Sequence, residues 1–112
     1  MPEYLLLLRG GDFSDVPADD LKDVYAKYMA YAKKLREENR LIGGNDIKDE
    51  VTIIKGAGDD SFAHRDAEMP AHDKVGGYFL FSAANLEAAI DVADECPHNL
   101  YGGYMELREI NG

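Results

Sequence analysis

Gly76-Gly77-Tyr78-Phe79-Leu80-Phe81 opens the stretch on which the fold turns, and Gly102-Gly103-Tyr104-Met105-Glu106-Leu107-Arg108 closes it. The first run, from Val75 to Phe81, is dense in apolar and aromatic residues and reads as a strand. Asn85 is suited to cap a following helix, in which Leu86, Ala89, Ile90 and Ala93 are expected to face inward. Cys96-Pro97 stops that helix, and Met105 to Ile110 forms another strand. A strand, a short amphipathic helix and a second strand therefore occupy the C-terminal third.

The N-terminal part repeats the pattern on a larger scale. Tyr4 to Arg9 reads as a strand, and Gly10 to Val16 as a turn with Gly10-Gly11 and Asp12 as breakers. Pro17 fits a first helical turn, and Asp19 and Asp20 suit the positive end of the helix dipole. Leu21, Val24, Tyr25, Tyr28, Ala32 and Leu35 then recur at helical spacing and predict one buried stripe, with the helix ending near Glu38 or Asn39. Leu41-Ile42 begins a second strand region that Gly43-Gly44 interrupts, and Val51 to Lys55 is its firmer part. Residues 56–74 show no periodicity and read as a long polar loop.

The order βαββαβ predicts a single α+β domain over residues 1–112. Its arrangement is ferredoxin-like, a four-stranded antiparallel sheet with two helices on one face. Two helices cover only that face, yet Tyr4 to Leu8 and Tyr78 to Phe81 are apolar on both faces. An apolar patch of that size is rarely left in water, so a homodimer packed through the sheet face is expected. The alternative cover is the 56–74 loop folded back over the sheet.

Charge narrows the partners. With 12 Lys and Arg against 22 Asp and Glu, the net charge of −10 repels phosphate backbones and anionic lipids, so neither nucleic acid nor a membrane surface is expected. The apolar run Leu5 to Leu8 stops at Arg9, too short for a signal-peptide core or a membrane span. The single cysteine, Cys96, forms no intramolecular disulfide and fits a reducing cytoplasm.

The Tyr4-Leu5-Leu6-Leu7-Leu8 strand, Arg40-Leu41-Ile42-Gly43-Gly44, Gly76-Gly77-Tyr78-Phe79-Leu80 and the ending from Cys96-Pro97 to Arg108 together resemble the YCII-related family, in its DGPF-domain branch. The resemblance spans nearly the whole chain and implies a dimeric α+β barrel with a cleft between sheet and helices. Most members have no established activity. Those with a proposed active site resemble one another in a His on the first helix and an Asp before a Pro after the second. Here Tyr28 falls where that His would stand and Cys96 where the Asp would, so the dyad does not carry over. The DGPF run is replaced by Asp66-Ala67-Glu68-Met69-Pro70.

Candidate chemistry is sparse. His64, Asp66 and His72 could gather imidazoles and a carboxylate in the 56–74 loop, but their spacing matches no compact metal signature, so no metal is expected. His98, after Cys-Pro, is expected to be exposed. Cys96 stands at a helix C-terminus beside Asp94 and Glu95, where the dipole opposes a thiolate, and reads as a plain buried thiol. Tyr28 could aim its hydroxyl into the cleft. On the last strand Tyr104, Glu106 and Arg108 share one face and Met105 and Leu107 the other, which puts the polar trio on the open side. The resulting expectation is a protein without cofactor that binds a small molecule through Tyr28, His64, Asp66, His72, Cys96 and Arg108. The alternatives are a lyase, isomerase or hydrolase working through the loop histidines, and a structural or regulatory dimerisation module.

Overall fold

A computed structural model describes residues 1–11, 13, 16–70 and 73–112. The elements are β1 (Glu3–Gly10), α1 (Ala18–Glu37), β2 (Leu41–Asp46), β3 (Ile53–Lys55), β4 (Phe62–His64), β5 (Val75–Ser82), α2 (Leu86–Asp94) and β6 (Gly103–Glu109). The main sheet runs β2-β5-β1-β6, and each neighbouring pair is antiparallel. This is the α+β, ferredoxin-like arrangement expected from the element order. No helix among the described residues is long and apolar enough to cross a membrane.

β1 and β5 are the central strands, and their alternation separates the two faces. Tyr4, Leu6, Leu8, Phe79 and Phe81 point under the helices and are buried, with Leu6 and Phe81 fully enclosed. Met105 and Leu107 of β6 pack against the same core. Leu5, Leu7, Tyr78 and Leu80 face the other way and are only partly buried. The register sets Leu7 opposite both Tyr78 and Glu106, and Leu5 opposite Arg108, so the polar trio of β6 lies on this open face as expected. There Glu106 accepts from Arg9 Nε at 2.9 Å and from Arg108 at 3.1 Å.

The second strand differs from the sequence expectation. β2 passes straight through Gly43-Gly44, with a bulge between Leu41 and Gly43, and pairs with β5. The glycines permit this approach: a Cβ on Gly44 would stand 2.9 Å from both the Phe79 ring and the Tyr78 carbonyl. Ile53–Lys55 instead pairs with Phe62–His64 in a separate two-stranded hairpin, so the 56–74 segment is partly ordered as β4 and a short 3-10 turn. Ile54 and Phe62 on that hairpin are exposed.

Each helix buries only part of its expected stripe: Leu35, Ala89 and Ala93 are buried and Tyr28 and Ala32 pack against the core, while Leu21, Tyr25, Leu86 and Ile90 are exposed. On α1 the buried pair is Tyr31 and Leu35, whereas Leu21, Tyr25 and Met29 are exposed. Tyr31 donates its hydroxyl to the Val92 carbonyl at 2.7 Å, and Lys34 pairs with Glu95, so the C-terminal half of α1 is tied to α2. Its N-terminal half lines a cleft over the sheet. On α2, Asn85 caps the Ala88 amide at 2.9 Å as expected. Ala89, Val92, Ala93 and Cys96 form the buried stripe at i, i+3, i+4 and i+7, leaving Leu86 and Ile90 exposed at its side.

Candidate functional site

A cleft of about 560 Å³ opens between α1 and the sheet. Leu21, Val24, Tyr25 and Met29 supply its roof, and Leu8, Leu41 and Phe79 supply apolar floor. The rest of the floor is Gly10, Gly44, Gly76 and Gly77. Four positions without side chains, brought together from three strands, thus line it.

The polar centre of the cleft is a pair of aromatic side chains. The Tyr28 hydroxyl lies 2.9 Å from His98 Nδ1, and His98 Nε2 lies 2.8 Å from the Arg9 carbonyl. A carbonyl oxygen can only accept, so Nε2 carries hydrogen; in the neutral ring Nδ1 is then an acceptor and Tyr28 donates to it. The lone pairs of the Tyr28 oxygen remain for a third group. Burial, with the Cys96 and Tyr101 groups nearby, holds the Tyr28 phenol protonated well above its ordinary range. Tyr28 at this site is a neutral hydroxyl, not a phenolate.

His98 is 3% exposed, which overturns the expectation that it would face solvent. Pro97 begins a 3-10 turn, Pro97–Tyr101, that folds the chain back after Cys96. The imidazole then occupies volume vacated by two glycines. A Cβ on Gly103 would collide with the ring at Nε2, and one on Gly11 would lie 3.2 Å from Cε1. Beside the pair, the Tyr101 ring packs between Phe13 and Tyr28, at centroid distances of 5.3 and 6.1 Å. The Tyr101 hydroxyl is buried without a hydrogen-bond partner among the described residues.

The expected site residues are dispersed. Tyr28 lines the cleft. Cys96 is buried behind it, and burial pushes its thiol up to about 11, an effect that a hydrogen bond from the His98 amide partly offsets. Arg108 is on the open sheet face, paired with Glu106. His64 ends the exposed β4, and Asp66 sits in the turn after it with φ +52°. His72 lies outside the described residues. Among the described residues no three His, Cys, Asp or Glu side chains come together to hold a metal ion. The group that sequence reasoning missed is His98. Its available signal was the position between a Cys-Pro helix stop and a Gly-Gly pair.

A comparison with curated proteins finds no match. Among solved structures the chain is similar to 5-chloro-2-hydroxyhydroquinone dehydrochlorinase (TftG) from Burkholderia phenoliruptrix AC1100, in its complex with 2,5-dihydroxybenzoquinone. The TM-score is 0.56 at 15% identity, over 97% of this chain and 93% of that one, a likeness of fold. At the level of sequence, the YCII-related domain matches residues 4–111, and the chain belongs to that family.

Proposed function

We propose that the cleft binds a small hydroxylated ring compound whose hydroxyl donates a hydrogen bond to the Tyr28 oxygen. The observation that carries this reading is the hydrogen-bond chain from Tyr28 through His98 to the Arg9 carbonyl, which leaves an acceptor among the apolar side chains and glycines of the cleft. The walls suit a flat apolar ring, and the volume suits one of modest size. TftG, similar in fold, is a dehydrochlorinase bound to a dihydroxybenzoquinone, a compound of the same general class.

The same chain supports an enzymatic reading of lyase or isomerase type. As the ligand hydroxyl gives its proton to the Tyr28 oxygen, Tyr28 passes its own proton to His98 Nδ1. The imidazolium then rests against the Arg9 carbonyl, and the ligand is left as an oxyanion. His98 replaces the loop histidines in this role, since His64 is exposed on its hairpin.

We also infer that the chain pairs with a second copy through the open sheet face. Leu5, Leu7, Tyr78 and Leu80 form an apolar centre there, rimmed by Arg9, Glu106 and Arg108. The single chain is a slab of 46 × 41 × 19 Å. The buried thiol Cys96 fits a reducing compartment such as the cytoplasm.

The binding reading is tested by calorimetric titration with hydroquinone and with its dimethyl ether. Hydroquinone should bind at least about tenfold more tightly, because only it can donate to Tyr28. Equal affinity, or no binding of either, would refute the reading.

A further inference from the structure

Arg36 lies two helical turns beyond Tyr28 on α1, and both line the cleft. At 1.5 Å of rise per residue their backbones stand about 12 Å apart along the helix. Basic neighbours of Arg36 are engaged: Lys33 with Glu37, Lys34 with Glu95, and Arg40 with Glu38. The Arg36 guanidinium makes no ion pair or side-chain hydrogen bond among the described residues. It is a free fork of donors at the end of an apolar cleft.

The other charged lining residue is Asp46. α1 ends at Glu37 and β2 starts at Leu41, with the Arg40 amide bonded to the Leu35 carbonyl, so β2 starts beside the helix C-terminus and runs back from it. Asp46, five residues along β2, is therefore about 16 Å from that end at a strand rise of ~3.3 Å per residue. The cleft is electrically polar along its length, positive at Arg36 and negative at the opposite end.

We propose that the ligand is a hydroxylated aromatic acid, its hydroxyl at Tyr28 and its carboxylate on Arg36. This deepens the reading of the Tyr28–His98 pair and rests on it. A guanidinium matches a carboxylate through two parallel hydrogen bonds, and Asp46 disfavours the reversed orientation by like-charge repulsion.

The test titrates the full chain with 3-(4-hydroxyphenyl)propanoate, its methyl ester and 4-ethylphenol. The acid should bind about tenfold more tightly than the ester, and the advantage should shrink as salt is raised. In Arg36→Gln, a substitution that an exposed helix position accepts, acid and ester should bind alike. If 4-ethylphenol binds but the acid has no advantage over the ester, or the advantage survives Arg36→Gln, the acid assignment is overturned and the binding reading stands. If none of the three binds the folded protein, both fall together.

Discussion

The Tyr28 hydroxyl stands 2.9 Å from His98 Nδ1, joining the middle of α1 to the turn that follows α2. The two residues are seventy positions apart in the chain. Their contact ties α1 to the turn after α2 and holds a directed hydroxyl in the cleft. A comparable but wholly structural bond, from Tyr31 to the Val92 carbonyl at 2.7 Å, lies one turn further along the same helix.

Tyr28→Phe and Tyr31→Phe therefore separate function from stability. Each substitution removes one hydrogen bond and should cost about 1 kcal/mol or somewhat more in urea unfolding, since each leaves a polar partner unpaired. Only Tyr28→Phe should also weaken hydroquinone binding, by about tenfold. Equal binding losses in the two variants would show that the Tyr28 hydroxyl has no special place at the ligand.

Gly103→Ala should displace the His98 ring, because the added methyl occupies the position of Nε2 and also crowds the Arg9 carbonyl at 2.8 Å. A loss of about 1–3 kcal/mol is expected, together with loss of ligand binding. Gly102→Ala is the control. Nothing lies within 4 Å of a Cβ there, and its φ of +75° imposes only backbone strain of about 1 kcal/mol. Thermal melts and titrations of both variants distinguish collision from strain.

Tyr101→Phe should be neutral or stabilising, by up to about 1 kcal/mol, because it deletes a buried hydroxyl that has no partner among the described residues. The ring contacts with Phe13 and Tyr28 are retained. A clear destabilisation in urea unfolding would mean that the hydroxyl is hydrogen-bonded in solution.

Alkaline pH should destabilise the fold. Burial raises the Cys96 thiol from 9.0 to about 11. Between those values the unfolded chain releases the proton and the folded chain keeps it, so unfolding becomes easier as pH rises. Tyr28 and Tyr31, both shifted upward chiefly by burial, act in the same direction at higher pH. Urea midpoints should be level below about pH 9 and fall above it. The fall should be shallower in Cys96→Ala.

Leu7→Glu places a charge at the centre of the open sheet face, opposite Tyr78 and Glu106. If a second copy covers that face, sedimentation should show a dimer for the native chain and a monomer for the variant. A native chain that sediments as a monomer at high concentration would refute the pairing.

Much of this molecule is written in local patterns. Period-two alternation in Tyr104 to Arg108 assigns each residue to a face, and the structure keeps those assignments. Asn85 caps its helix because capping is a contact over three residues, and Asp19 and Asp20 lie in the first turn of α1 for a similarly local reason. The path of β2 through Gly43-Gly44 was not legible, because a glycine pair reads as a breaker until a neighbouring strand's Phe79 is seen to need the room. Nor was the half-seated α1, whose apolar stripe has the right period but whose Leu21 and Tyr25 line an open cleft. His98 is the sharpest case. Its burial depends on missing side chains at Gly11 and Gly103, in two other segments, and omitted volume has a meaning only where another element arrives to fill it. Periodicity and capping act within a few residues and so can be read along the chain. The cleft and its Tyr28–His98 pair arise from packing between distant segments, and that is settled only when the chain has closed on itself.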